Sequence, residues 1–201
     1  PSQPLSIRLE AEIGRADRPF FPISERRYHV LGARVQYKTR QLYLSAASHA
    51  GYNTNSISLA THSARARTTS FDASWSPRPS FSFDASYSKL HLDTLSGIAF
   101  FSAGQFVRDF SVYASDIHSG NLALRVAMSR RVDLALGYSR AEDTAVSYPL
   151  VYDSPLARLS IRLHNKLRWN AGFQYYRYHE NLLAVQNYRA HTGYSSVTWS
   201  F

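Results

Sequence analysis

The chain has 201 residues, no cysteine, 14 tyrosines, 11 phenylalanines and a formal net charge of +9. Without cysteine there is no disulfide framework, no thiolate zinc site and no covalent c-type haem attachment. A mean hydropathy of −0.32 and the lack of any apolar run near 18 residues exclude a membrane-spanning helix. They do not exclude a transmembrane β-barrel, whose strands alternate lipid-facing and lumen-facing residues and so average out as hydrophilic. The opening Pro1-Ser2-Gln3 carries no signal peptide, as expected of a processed chain or of a piece of something longer.

Ten segments alternate with period two. The first, about 5–14, sets Leu5, Ile7, Leu9, Ala11 and Ile13 against Arg8, Glu10 and Glu12. After a polar loop with Pro19 and Pro22, the second (27–38) sets Leu31, Ala33, Val35 and Tyr37 against Gly32, Arg34, Gln36 and Lys38. A turn at Thr39-Arg40 leads into the third (41–51), with Leu42, Leu44, Ala46 and Ala50 on one face, and Gly51 to Asn55 read as a turn cluster. The fourth (62–77) carries Phe71, Ala73 and Trp75 opposite Ser70, Asp72 and Ser74, and Pro77-Arg78-Pro79 ends it because neither proline donates to a ladder.

The fifth (80–93) opposes Phe81, Phe83, Ala85 and Tyr87 to Ser82, Asp84, Ser86 and Ser88. A loop of roughly fifteen residues containing Gly97 and Gly104 is expected before the sixth, about 110–129, where Leu122, Leu124, Val126 and Met128 oppose Ala123, Arg125 and Ala127. Arg130-Arg131 turns the chain into the seventh, with Val132, Leu134, Leu136 and Tyr138 against Asp133, Ala135 and Gly137. A second long loop, 142–154, precedes the cleanest alternation in the chain, Ala157, Leu159, Ile161 and Leu163 against Arg158, Ser160 and Arg162. His164-Asn165-Lys166 turns it into the ninth, where Leu167, Trp169, Ala171, Phe173 and Tyr175 oppose Arg168, Asn170, Gly172 and Gln174, and a polar loop at 179–187 leads to the last.

The last segment, Ser195-Ser196-Val197-Thr198-Trp199-Ser200-Phe201, alternates up to its terminal aromatic. With Val197, Trp199 and Phe201 on one face, and Ser196 where many such strands carry glycine, it resembles the C-terminal strand of Gram-negative outer-membrane β-barrels, the signal read by their insertion machinery. Short turns near 39, 78, 130 and 165 alternate with longer connections, which is the topology of these barrels, with the short turns on the periplasmic side. A soluble sandwich has no reason to keep that rule, and its outward residues would be polar.

Charge placement sharpens this expectation. Eight to ten residues above the lowest apolar residue of the outward face, strand after strand reaches a base: Arg15, then Arg27 and His29, Arg65 and Arg67, Lys89 and His91, His118, Arg140, Arg177, and a little higher His191 and Arg189. At roughly 3.3 Å per residue and a tilt of about 40°, that span rises about 20–25 Å, the height of a barrel's apolar band. The bases are therefore expected to ring the outer interface, where arginine can contact lipopolysaccharide phosphates. The plainer reading is that charges mark where strands leave the membrane.

The other face places Arg8, Arg34, Arg125, Arg158, Arg162 and Arg168 with Glu10, Glu12, Asp72, Asp84 and Asp133 in a lumen, either as a paired network filling a narrow barrel or as a small pore preferring anions. His91 with Asp93, and the run Asp116-Ile117-His118-Ser119, are the candidates for a rim enzyme acting on lipid or peptide; His118 and Ser119 would point to opposite faces of a regular strand. No nucleophile elbow, HExxH or phosphate loop occurs. The aromatics follow strand ends and outward faces, which argues against a nucleic-acid groove.

Ser86 to Thr94 and Tyr188 to Tyr194 are similar to stretches near the C-termini of longer bacterial barrels, and the hairpins resemble the porin of porin–cytochrome conduits, which would make the chain a sheath for a haem-bearing partner. The expectation is an all-β, antiparallel, up-and-down transmembrane β-barrel of about ten strands, one domain over 1–201, porin-like, in the bacterial outer membrane. It would act as a passive pore or structural barrel, without catalysis, cofactor or metal. Its partners would be lipid, lipopolysaccharide and the insertion machinery, with no nucleic acid.

Overall fold

Alternation makes each segment two-faced, and two-faced strands that follow one another through short turns pair in sequence order. The structure is a computed structural model that describes residues 4–15, 27–57, 60–102, 105–147, 149–182 and 184–200. Ten strands form one antiparallel sheet in the order of the chain: β1 (Leu5–Arg15), β2 (Arg27–Lys38), β3 (Leu42–Ile57), β4 (Ala60–Arg78), β5 (Phe81–Ser102), β6 (Gln105–Ala127), β7 (Val132–Asp143), β8 (Leu150–His164), β9 (Leu167–Glu180) and β10 (Tyr188–Trp199). Among the described residues β1 pairs with β2 and β10 with β9, and the two outermost strands do not pair with each other, so the sheet is an arc with two free edges.

Register puts all the expected outward residues on one surface. Leu5 lies opposite Tyr37, Tyr37 opposite Leu44, Leu44 opposite Ala73, and the row continues through Ala85 and Leu122 to Tyr138. Ala47 is the one buried hydrophobic residue among those described, while Leu9 is 78% exposed, Phe173 50% and Trp199 63%. Sequestering of Leu159, Ile161, Phe173 and Trp199 in a common interior would have made this a water-soluble sandwich; instead they lie on the sheet's open apolar face. Of the buried polar residues, Ser45, Asn55, Ser115, Asp143, Ser154 and Glu180 belong to the opposite face, which marks that face as the concave one.

The apolar band climbs across the hydrogen-bonded rows at a steady slope. Leu5, the lowest outward residue of β1, shares its row with Tyr138, which stands six residues above Val132 at the foot of β7. The row through Arg189, Arg177, Asp153 and Arg140 arrives in β1 at Ile7, eight residues short of Arg15. With about 3.3 Å per residue and about 4.8 Å between strands, both margins are level only if the strands tilt by roughly 30–35°, close to the 35–45° of membrane barrels. Each strand's outward face keeps about ten residues between the two margins, from Leu5 to Arg15 in β1 and from Trp199 to Arg189 in β10.

The short turns fall as expected, at Thr39 to Gln41, Pro79-Ser80, Ser129 to Arg131 and Asn165-Lys166. Three expected connections do not. The cluster Gly51 to Asn55 is the continuation of β3, the loop with Gly97 is the meeting of β5 and β6, and much of 142–154 belongs to β7 and β8. The reason is chemical. Above the band Tyr52, Asn53 and Thr54 are polar on both faces, whereas Leu90, Leu92 and Phe100 place apolar groups on the polar face of β5, so the alternation that reveals a strand disappears while the ladder persists. The loop with Pro19 and Pro22, Gly104 and the terminal Phe201 lie outside the described residues.

Gly172 shows how closely the polar face is packed. A Cβ there would meet the ring of Tyr194, 2.6 Å from Cζ, because Tyr194 lies across its cross-strand partner. Laying an aromatic over a strand glycine covers the exposed ladder. Gly172→Val is expected to destabilise the detergent-solubilised protein by about 1–3 kcal/mol in thermal unfolding, through overpacking. Adding Tyr194→Ala should recover much of the loss, and equal instability of single and double variants would count against this packing.

Candidate functional site

A charged row runs along the upper margin of the apolar face. Arg15 pairs with Arg27, His29 with Tyr52, and Tyr52 with Arg65, whose guanidinium lies 5.6 Å from the Tyr52 ring centre. Arg67 is opposite His91, His91 opposite Asp116, Lys89 opposite His118, and Arg177 opposite Arg189. All twelve bases expected at the interface therefore share one surface. At mid-bilayer a lipid-facing arginine or lysine costs about 2–4 kcal/mol, and near an interface about 0–1, so the eight arginines and lysines among them are tolerable only where lipid gives way to water.

The sequence reading named Asp93 and Asp116 only as candidates for a rim enzyme and missed Glu142 and Asp153. Asp93, Asp116, Glu142 and Asp153 stand on the same surface, so the belt is mixed in sign. Lys89 Nζ lies 3.4 Å from Asp116 Oδ1 and His118 Nε2 3.7 Å from the same oxygen, while the Tyr87 hydroxyl is 2.8 Å from His118 Nδ1. Arg140 donates to Glu142 Oε2 at 2.8 Å and lies 3.5 Å from Asp153 Oδ1. Arg177 Nε donates to Asp153 Oδ2 at 2.9 Å, and the Tyr138 hydroxyl donates to Oδ1 at 2.7 Å, so this carboxylate, only 4% exposed, serves three partners. The signal was present as base and acid two residues apart, as in Arg140 and Glu142; Asp153 was hidden because its segment reads as loop.

Among the described residues Arg27, Arg67 and Arg189 have no ion pair, and Arg65 has only its ring contact. Arg140, Arg177 and Arg189 also border a recess of about 800 Å³ at the β10 edge. His191 packs against Tyr175, with ring centres 4.9 Å apart, and His29 against Tyr52 at 5.4 Å.

His91 Nε2 and Asp93 Oδ2 come within 3.0 Å, as their spacing implied. They stand on the apolar face with Arg67 and Asp116 opposite His91, inside the belt. His118 and Ser119 do point to opposite faces: Ser119 bonds Ser88 at 2.7 Å on the polar side.

The polar face carries the eleven residues assigned to a lumen, and two ion pairs form among them, Arg8 Nε to Glu10 Oε1 at 2.5 Å and Arg125 Nη2 to Asp133 Oδ1 at 3.9 Å. Glu12 accepts from the Tyr28 hydroxyl at 2.7 Å, Arg34 lies opposite Arg8, and Asp72 and Asp84 share a recess with Tyr43 and Asn121. Arg158 and Arg168 border a second recess with Arg125, and Arg162 borders a third with Arg168. Val197 and Trp199 lie on the apolar face opposite Trp169 and Leu167.

No family model matches the chain, and no curated protein is similar to it in sequence. Among solved structures it is similar to the ferric-catecholate import receptor Fiu from Escherichia coli K12, with a TM-score of 0.51 and 9% identity, over 98% of this chain and 42% of the receptor chain. The translocator domain of the autotransporter NalP from Neisseria meningitidis matches at a TM-score of 0.31 and 12% identity, over 87% of this chain and 80% of that one. The chain thus spans less than half the length of the receptor. The likeness to the receptor shows the fold: an up-and-down antiparallel wall of the kind that forms outer-membrane β-barrels.

Two outcomes follow for the acids. Asp153→Ala should lower stability by about 1–3 kcal/mol, since it strands two guanidiniums and a hydroxyl, and Glu142→Ala by less, as thermal unfolding would show. Asp143 lies past the belt at the end of β7. Burial raises its pKa, but the Ser115 hydroxyl and the amides of Ala145 and Asp116 outweigh this and hold it below the ordinary carboxylate value. Its contribution is then complete above about pH 4 and lost as pH falls through the lower folded value, so Asp143→Asn should flatten the acid limb of a stability profile.

Proposed function

We propose that the chain forms part of the wall of a Gram-negative outer-membrane barrel and works as a passive pore, without catalysis. In this reading the apolar face lies against lipid, and the charged belt sits level with lipopolysaccharide phosphates. The observation that supports it best is the constant height of the band. About ten residues separate foot from belt at both ends of the arc, and both margins climb at the tilt of a membrane barrel. Sequence periodicity alone does not require that; a water-facing sheet has no cause to keep two parallel margins across ten strands.

An unpaired backbone group in hydrocarbon costs several kcal/mol, so the free edges of β1 and β10 call for closure by further strands. A wall that matches 98% of its length to 42% of a receptor chain suits a barrel wider than ten strands, and such a barrel encloses water where a small one is filled by side chains. The carboxylates in the belt narrow the lipid contact to arginines without ion pairs among the described residues: Arg65 and Arg67 on β4, Arg189 on β10, and Arg27 on β2. The His91 and Asp93 pair belongs to the belt in this reading and has no catalytic role.

Single-channel recording in planar bilayers should show discrete conductance steps, and a silent but inserted protein would rule out the pore. Arg65→Gln with Arg67→Gln should lose stability in lipopolysaccharide-containing bilayers and leave it unchanged in neutral lipid; loss without lipid dependence would remove the phosphate contact. Because the chain has no cysteine, paired cysteines placed along β1 and β10 report closure directly. The expected result is no bond between them at any register in folded monomer, and an intramolecular disulfide would establish a ten-strand barrel.

A further inference from the structure

The two halves of the polar face differ in charge. On β1 to β5 the assigned lumen groups are net acidic, Arg8 and Arg34 standing against Glu10, Glu12, Asp72 and Asp84. On β6 to β9, toward the short turns, Arg125, Arg158, Arg162 and Arg168 share the surface with Asp133. Arg162 and Arg168 are direct cross-strand partners, and like charges placed opposite each other destabilise a sheet. The comparable pair Arg8 and Arg34 is offset by the Glu10 ion pair, whereas neither Arg162 nor Arg168 has an ion pair among the described residues.

These groups line a trough. A recess of about 470 Å³ is bordered by Arg162, His164, Lys166, Arg168 and Thr198. Arg168 and Asn170 also border an adjoining recess of about 250 Å³, together with Arg125, Arg158, the Tyr194 ring and the carboxylate of Asp133. Asn170 accepts from Ser160 at 2.8 Å, and the Tyr194 ring is held over Gly172, so the neutral walls are set before any ligand arrives.

We propose that this trough binds a small multivalent oxyanion of the phosphate or phosphoryl class. Guanidiniums present planar, paired donors that match phosphate oxygens, and a bound dianion removes the repulsion between Arg162 and Arg168. The trough has room for such an anion with part of its hydration shell, a water taking about 30 Å³. The site rests on the pore reading only for its place inside a lumen, at the short-turn mouth, where it would hold phosphorylated solutes.

The test is calorimetric titration of the full chain in detergent with pyrophosphate and with inorganic phosphate, against sodium chloride at matched ionic strength. Saturable binding is expected, tighter for pyrophosphate. Arg168→Gln, which touches both recesses, should weaken it about tenfold or more, the loss of one charge-assisted contact. Arg168→Lys should fall between, and Arg40→Gln, in the turn between β2 and β3, should leave it unchanged. Arg162→Gln gives an independent reading: without ligand it should raise the melting temperature, and it should abolish the further rise that pyrophosphate produces in the parent. Signals that chloride reproduces, affinity that survives both Arg162→Gln and Arg168→Gln, or an equal loss in Arg40→Gln would each overturn the site. Binding without conductance would keep the site and sink the pore, and conductance without binding the reverse.

Discussion

Everything in this fold follows from one demand: every N–H and C=O of a chain in hydrocarbon needs a partner inside the protein. An antiparallel ladder running uninterrupted from β1 to β10 meets it for all strands but the two outermost. Because the ladder needs no side chains, the apolar residues are released from building a core, and Ala47 is all that is buried of them among the described residues. Leu9, Phe173 and Trp199 then serve a different solvent. The same demand makes the two edges unstable as they stand, and it accounts for why an arc so open can be a continuous piece of wall.

The belt shows how a charged row can sit beside lipid without opposing the fold. A ring of bases alone would repel itself; carboxylates at Asp93, Asp116, Glu142 and Asp153 break it into short clusters, each neutralised in part. Tyr87, Tyr138 and Tyr52 add hydroxyl and ring contacts to His118, Asp153 and Arg65. Among the described residues, the belt bases left without an ion pair are local, on β2, β4 and β10.

On the concave side, small and polar groups let the strands curve and leave room for water. The charge assigned to this face is net acidic on β1 to β5 and strongly basic near the turns of β6 to β9. A sheet that required only solubility inside a lumen would gain nothing from setting Arg162 against Arg168.

The amino-acid sequence by itself determined the strand count, the two faces and the short turns, because inside the apolar band each residue has one of two solvents to face and period two records that choice. The individual members of the belt, from Arg15 to Arg189, were legible for the same reason. Beyond the band both faces meet water, so the upward run of β3 past Gly51 and the long meeting of β5 with β6 left no alternation to read. Only the register of the tertiary structure decided that the belt's bases share their row with four carboxylates, that Arg162 meets Arg168, and that β1 and β10 stay apart. Pairing between strands far apart in sequence is a property of the ladder, and no single strand carries it.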